Sequence, residues 1–357
     1  MNNKTDLIDS IPILNLTAEQ YFNTFLDSKL IDLIYLYAMG SISSIGCILC
    51  LVCVWIFFRR KEFDQPFFLF YKILSINSFL HGFFGTWYSL CNSNWYLSFK
   101  LQTLCVNYVI AYIPFHIFFH NHAILVEIGI LIEMLKLFNQ TIKRNIKLDP
   151  KKMLVILFLI SVLIGALGSF LKSANELVWL NYETSNNMTI IRKETIMFVG
   201  PNDFAKSKTG AIYFITYSLA VHVPLISIQF IANLTLIVVM KKHFSKLSLQ
   251  NQTRSSQNKK KERLNKRTSL MALILCSLSL ISRTTLLIGL VSINIRPFDF
   301  FSNFTLALSE LIIFFNVGIL FFVCFSFNKI FRNHVLELIR IRKISSETST
   351  STSSNQK

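Results

Sequence analysis

Seven long stretches of this chain carry almost no charge, and they decide what it can fold into. Residues 33–58, 73–99, 101–126, 153–171 and 209–240 contain no Asp, Glu, Lys or Arg, and 268–295 and 300–328 contain one each. About 20 helical residues cross the roughly 30 Å hydrocarbon core of a bilayer, so every stretch is long enough to span it, with some left for tilt. Within hydrocarbon a helix pairs its own backbone groups, which an irregular segment cannot do. The expected fold is therefore an all-α membrane protein, a seven-transmembrane helix bundle. Composition agrees: 52% of the 357 residues are hydrophobic, 34 are Phe and only 15% are charged, against roughly a quarter charged in soluble domains.

Basic residues orient the bundle. With residue 1 outside, the inner segments 59–72, 136–152, 241–267 and 329–357 hold 26 of the 36 Lys and Arg, nine lie outside and Arg283 lies within a span. The positive-inside rule then makes the amino terminus extracellular and accounts for the net charge of +17 without a nucleic-acid partner. Residues 1–30 form an acidic extracellular tail with no apolar core of signal-peptide length, so the first span is expected to direct insertion. The sequons at Asn15 and Asn187 fall outside, where glycan can be added; those at Asn139 and Asn251 fall inside. The expected organisation is the tail 1–30, the bundle 31–327, a juxtamembrane helix 328–343 and a Ser/Thr-rich cytoplasmic tail 344–357.

The loops differ in character. Segment 172–209 is the longest external connection and is polar. Segment 241–267 is basic, and its second half either anchors the sixth span or extends it as a helix. After the seventh span, Ile330, Phe331, Val335, Leu338, Ile339 and Ile341 alternate with Lys329, Arg332, Arg340, Arg342 and Lys343. That pattern suits an amphipathic helix in the inner headgroup layer. In 345–354, nine of ten residues are Ser or Thr. The segment is too polar to fold, and is either a phosphorylation cluster or a plain disordered tail.

Seven spans, an external amino terminus, the step Asn328-Lys329-x-Phe331-Arg332 into a surface helix, Pro224 within the fifth span and Glu133 at the inner end of the third together resemble a rhodopsin-like (class A) G-protein-coupled receptor. The resemblance covers about residues 31–343, and stretches such as "FYKILSINSF" and "FFVCFSFNKIFR" are most similar to the divergent orphan and chemosensory members. Several family motifs are altered. The Asp/Glu-Arg-Tyr motif reads Glu133-Met134-Leu135, Asn-Pro-x-x-Tyr reads "LFFVC" at 320–324, and the buried aspartate of the second helix corresponds to Ser78, beside Asn77. The sixth span lacks Trp and Pro, and the fourth lacks Trp. The resemblance implies a plasma-membrane receptor, not an enzyme, with an extracellular peptide or small-molecule ligand, a heterotrimeric G protein and an arrestin-like protein at a phosphorylated tail. It implies no cofactor. Glu133, Met134, Lys136, Lys266 and Arg267 are the expected G-protein-coupling residues.

Of seven cysteines, only Cys91 and Cys105 face the oxidising side, and the family's partner cysteine in 172–209 is absent. A Cys91–Cys105 bridge and two free thiols both remain open. Buried polar groups in spans mark functional positions because placing them in hydrocarbon is costly. Tyr108, Tyr112 and His116, spaced by four, form one stripe of the third helix. Arg283 and Glu310 lie at matching depths on adjacent helices, so they are expected to pair, either as the floor of a ligand pocket or as a structural ion pair. With Tyr217 and His222 these complete the candidate ligand set. Ligand binding is then expected to shift the bundle between two packings.

Two other classes fit parts of the sequence. His116 and His120 share a helical face, with His122 nearby, so a seven-helix zinc hydrolase would need further ligands such as His81, His222 or Glu127. The simpler reading makes these histidines polar contacts between helices, with no metal. A ligand-gated channel is the third class, and those with an internal amino terminus oppose the charge bias. The stretch "EIGILIEMLKLF" (127–138) holds two glutamates: Glu133 lies within reach of Lys136, and Glu127 is deep enough to be neutral or paired.

Overall fold

The computed structural model describes residues 33–92, 99–139, 144, 148–169, 175–186, 189–201, 208–249, 256–295 and 300–339. The tails 1–30 and 344–357, Asn15 and Asn187 lie outside these residues, as do the side chains of Cys91, Cys105, Tyr108 and Tyr112. The helices are α1 (Gly40–Arg59, entered through a π-helical stretch Ile34–Met39), α2 (Pro66–Asn92), α3 (Phe99–Phe138), α4 (Pro150–Ser169), α5 (Lys208–Leu249), α6 (Ser256–Ile295), α7 (Phe300–Phe327) and α8 (Lys329–Leu338). Among the described residues, seven helices are long and apolar enough to cross a membrane, as their uncharged runs require. The chain is a multi-pass membrane protein.

Neighbouring helices close a ring: α1 packs on α2, α2 on α3, α3 on α4 and α5, α5 on α6, α6 on α7, and α7 back on α1. Outward faces remain apolar, as at Leu163, Ile231 and Val238, each more than 60% exposed; in water so much bare hydrocarbon would drive association. Inside the ring α1, α2 and α7 meet through glycine. A Cβ on Gly46 would stand 3.2 Å from Val317 Cγ1, and one on Gly82 would stand 3.3 Å from the Cys47 backbone nitrogen. Ser43 Oγ reinforces this seam by donating to the Gly82 carbonyl at 2.7 Å.

The core towards the α8 end is aromatic. Phe57 of α1 lies edge-on to Phe63 (5.1 Å between centroids) and tilted against Phe331 of α8 (5.4 Å), while Phe63 meets Phe68 of α2 at 4.9 Å. Asn328 explains why the helix restarts at Lys329: its side chain accepts from the Phe331 N–H at 3.1 Å, an N-cap that turns Phe331 and Val335 inward. Arg60 Nη2 and Glu337 Oε2, 3.1 Å apart, tie α8 to the end of α1.

The structure adds two features to the sequence expectation. α3 runs on without a break past the charge-free run, which ended at 126, to Phe138 and carries both glutamates. Segment 172–209, expected only as a polar loop, contains an antiparallel hairpin of β1 (Asn175–Asn186) and β2 (Thr189–Pro201), with Asn175 opposite Pro201 and an irregularity at Thr184/Ser185. β2 packs against α3.

Candidate functional site

The polar centre of the molecule is built by three helices around one carboxylate. Glu127 of α3 is 3% exposed, and its Oε2 accepts from Gln229 Nε2 of α5 at 2.8 Å and from Arg283 Nη2 of α6 at 3.4 Å. Gln229 Nε2 also donates to the Cys276 carbonyl of α6 at 3.2 Å. The guanidinium is held along its length. Nε donates to Ser279 Oγ at 2.9 Å, one turn back on the same helix, and Nη1 donates to the His120 carbonyl of α3 at 3.0 Å. Arg suits such a site because its planar fork offers several donors in fixed directions.

This corrects the expected partner of Arg283. Its carboxylate is Glu127, and Glu310, half-buried on α7, is not its partner. Equal depth favoured Glu310, but depth along a helix axis says nothing about which way a side chain points around it. The Glu127–Arg283 pair crosses the bundle from α3 to α6, joining helices that Glu310 would have left apart.

Histidines cover this clamp. His81 Nε2 of α2 lies 3.0 Å from His116 Nδ1 of α3, the His116 and His120 rings stack at 6.2 Å, and His222 of α5 stands edge-on to His120 at 5.8 Å. Next to Arg283 is a partly open space of about 40 Å³ lined by Asn77, Ser78, His81, His120, Glu127 and Asn316, among others. It has room for about three waters, far less than a ligand needs. Of the candidate ligand residues, His116, His222 and Arg283 come together here. Tyr217 points elsewhere, its hydroxyl donating to the Ile164 carbonyl of α4 at 3.1 Å. Among the described residues no three His, Cys, Asp or Glu side chains are grouped to hold a metal ion, and His122 faces away from His116 and His120 to meet Asn77.

At the α8 end, Glu133 Oε1 receives Lys136 Nζ at 2.7 Å. Met134 is 1% exposed, and Ser269 Oγ of α6 donates to its sulfur at 3.6 Å, a weak hydrogen bond that joins α3 to α6 at this end. Lys266 and Arg267 are exposed. The sequence reading overlooked Gln229 and Ser279. A glutamine within the charge-free run of the fifth span was the available signal.

The bundle is similar to squid rhodopsin. Against that crystal structure the TM-score is 0.60 at 14% identity, covering 87% of this chain and 86% of squid rhodopsin. No protein-family model matches the chain, and no curated protein matches it by sequence. The rhodopsin-like likeness is therefore one of fold. It gives the seven spans a common architecture.

Proposed function

We propose that the chain is a divergent rhodopsin-like G-protein-coupled receptor of the plasma membrane, of the orphan or chemosensory kind, with its amino terminus outside. Its ligand, a peptide or small molecule, enters from the hairpin end between α3, α5, α6 and α7, where Tyr108, Tyr112, His116, His222 and Glu310 are candidate contacts. A heterotrimeric G protein binds at the α8 end through the basic segments and the Lys266–Arg267 corner, and the Ser/Thr-rich tail recruits an arrestin-like protein once phosphorylated. The positive-inside bias supports this orientation, and glycan at Asn15 and Asn187 would follow from it.

The observation that carries the reading is the Glu127–Arg283–Gln229 clamp. It fastens α3, α5 and α6 at mid-bundle, and a ligand that favours a packing without it shifts the population towards an open inner face. A buried pair serves such a switch well, because its two charges are tolerated only in the arrangement that joins them. Pro224 removes one backbone hydrogen bond to the Ala220 carbonyl, a point where α5 bends readily. The test uses a panel of G-protein sensors in cells expressing wild type, Glu127→Gln and Met134→Arg at matched surface levels. Glu127→Gln is expected to raise basal coupling to at least one G protein. Silence of all three forms across the whole panel overturns the reading.

A further inference from the structure

One buried acceptor at the centre of the bundle lacks a donor. Gln229 holds Glu127 through Nε2, which donates to Glu127 Oε2 at 2.8 Å, while Oε1 of the same amide is buried with no hydrogen-bond partner among the described residues. An ionised carboxylate only accepts, so Glu127 in its charged form cannot be that donor. The acid form can: one oxygen keeps accepting from Nε2 and the other donates to Oε1, as a carboxylic acid pairs with an amide. A bare buried acceptor is costly, so Gln229 favours a proton on Glu127.

That proton would strip Arg283 of its counter-charge. The ion pair is 3.4 Å long, wider than the roughly 2.7–2.9 Å of a close charge-assisted bond. Arg283 is 4% exposed, so an unpaired guanidinium here is strongly destabilising. Arg283 also lines the space of about 40 Å³ beside it. Its Nη2 gives one hydrogen to Glu127 and has a second without an acceptor among the described residues. Ser78 of α2 and Asn316 of α7 line the same space, and the Asn316 side chain makes no hydrogen bond among the described residues. The space is too small for an organic ligand but takes a monatomic anion with a water beside it.

We propose that this centre binds a proton and a chloride ion together. The proton, drawn from solvent, sits on Glu127 and is donated to Gln229 Oε1. Chloride lies beside Arg283, held by the second Nη2 hydrogen, Asn316 Nδ2 and the Ser78 hydroxyl. The guanidinium is balanced either by the Glu127 carboxylate or by chloride, so each of the two ligands strengthens binding of the other. A cation in the same space would oppose protonation of Glu127 and give the reverse pH dependence. The other titratable groups turned towards the centre are Tyr71 and His81 of α2, His120 of α3, His222 of α5 and Cys276 of α6. On α4 the titratable groups are the exposed lysines of its first turn, and Glu310 of α7 stands about two turns along from Asn316. The site belongs to the clamp on which the receptor reading rests, but its test reads binding alone: a chain silent towards every G protein leaves it standing.

The purified full chain in detergent is titrated with N-methylglucamine chloride against the gluconate salt at constant ionic strength, following radiochloride binding and thermal melting. Saturable binding displaced by bromide is expected. Its apparent Kd should fall about tenfold per unit as the pH is lowered from about 8 to about 6, because one proton enters with each anion. Glu127→Gln carries no charge and its amide supplies the donor that Gln229 lacks, so it should bind chloride at least as tightly as the wild type at the lowest pH and lose the pH dependence. Arg283→Gln in that background leaves both positions neutral and should abolish binding. Absence of saturable chloride binding in both wild type and Glu127→Gln overturns the proposal. So does a pH dependence that persists in Glu127→Gln, which would put the proton on a histidine, binding that survives in the double variant, or a response to sodium gluconate that chloride does not give.

Discussion

The centre of the bundle and its α8 end hold helices together by opposite means. Around Phe57, Phe63, Phe68 and Phe331 the contacts are rings packed on rings, and any one of them can relax a little without breaking the rest. At Glu127, Gln229 and Arg283 three helices are joined by directed hydrogen bonds to one carboxylate. The first arrangement is stabilising and forgiving. The second adds little net stability, because desolvating two charges offsets most of their attraction, but it distinguishes sharply between helix arrangements. A molecule built this way keeps one region as scaffold and places its all-or-none contact where α3, α5 and α6 meet.

Substitutions can break or sharpen this contrast. The largest effect is expected for Arg283→Leu, which strands the Glu127 carboxylate and should cost about 3–5 kcal/mol. The double variant Arg283→Leu/Glu127→Leu should recover most of that loss in thermal melting of the purified protein, and a double variant as unstable as the single would show that the pair is not a self-contained unit. Gly82→Val probes the packed region and should cost about 1–3 kcal/mol by overpacking, with no rescue by changing a charge. Asn328→Ala removes the cap of α8 and should cost about 1 kcal/mol, read as earlier loss of α8 amide protection in hydrogen exchange. Smallest is Arg60→Met, which removes the part-exposed pair with Glu337 between the end of α1 and α8. Its melting shift should correspond to about 1 kcal/mol or less, far below that of the buried pair.

The seven spans were legible because hydrocarbon imposes a rule that composition cannot hide. A segment that crosses it is long, apolar and nearly free of charge. The partners of Glu127 were not legible in the same way. Its depth in the third helix could be read along the chain, but Arg283 and Gln229, which satisfy it, come from 156 and 102 residues away. Choosing Glu310 for Arg283 failed for the related reason that sequence gives height but not azimuth. The hairpin hid behind polar residues, although Val178, Trp179, Tyr182, Ile196, Phe198 and Val199 are strand formers by shape. No motif could have shown that Tyr217 turns to α4, since a single hydroxyl finds whichever carbonyl its neighbours leave within reach.

The glycine seam has a mechanical consequence. Where Gly46 and Gly82 let backbones nearly touch, sliding α1, α2 and α7 past one another would drive side chains into main chain at once. Gly289 extends the same constraint to α6, since a Cβ there would stand 3.1 Å from the Leu306 Cα of α7. The four helices are keyed to one another like meshed teeth, so a change at mid-membrane is not dissipated as independent sliding within this half of the ring.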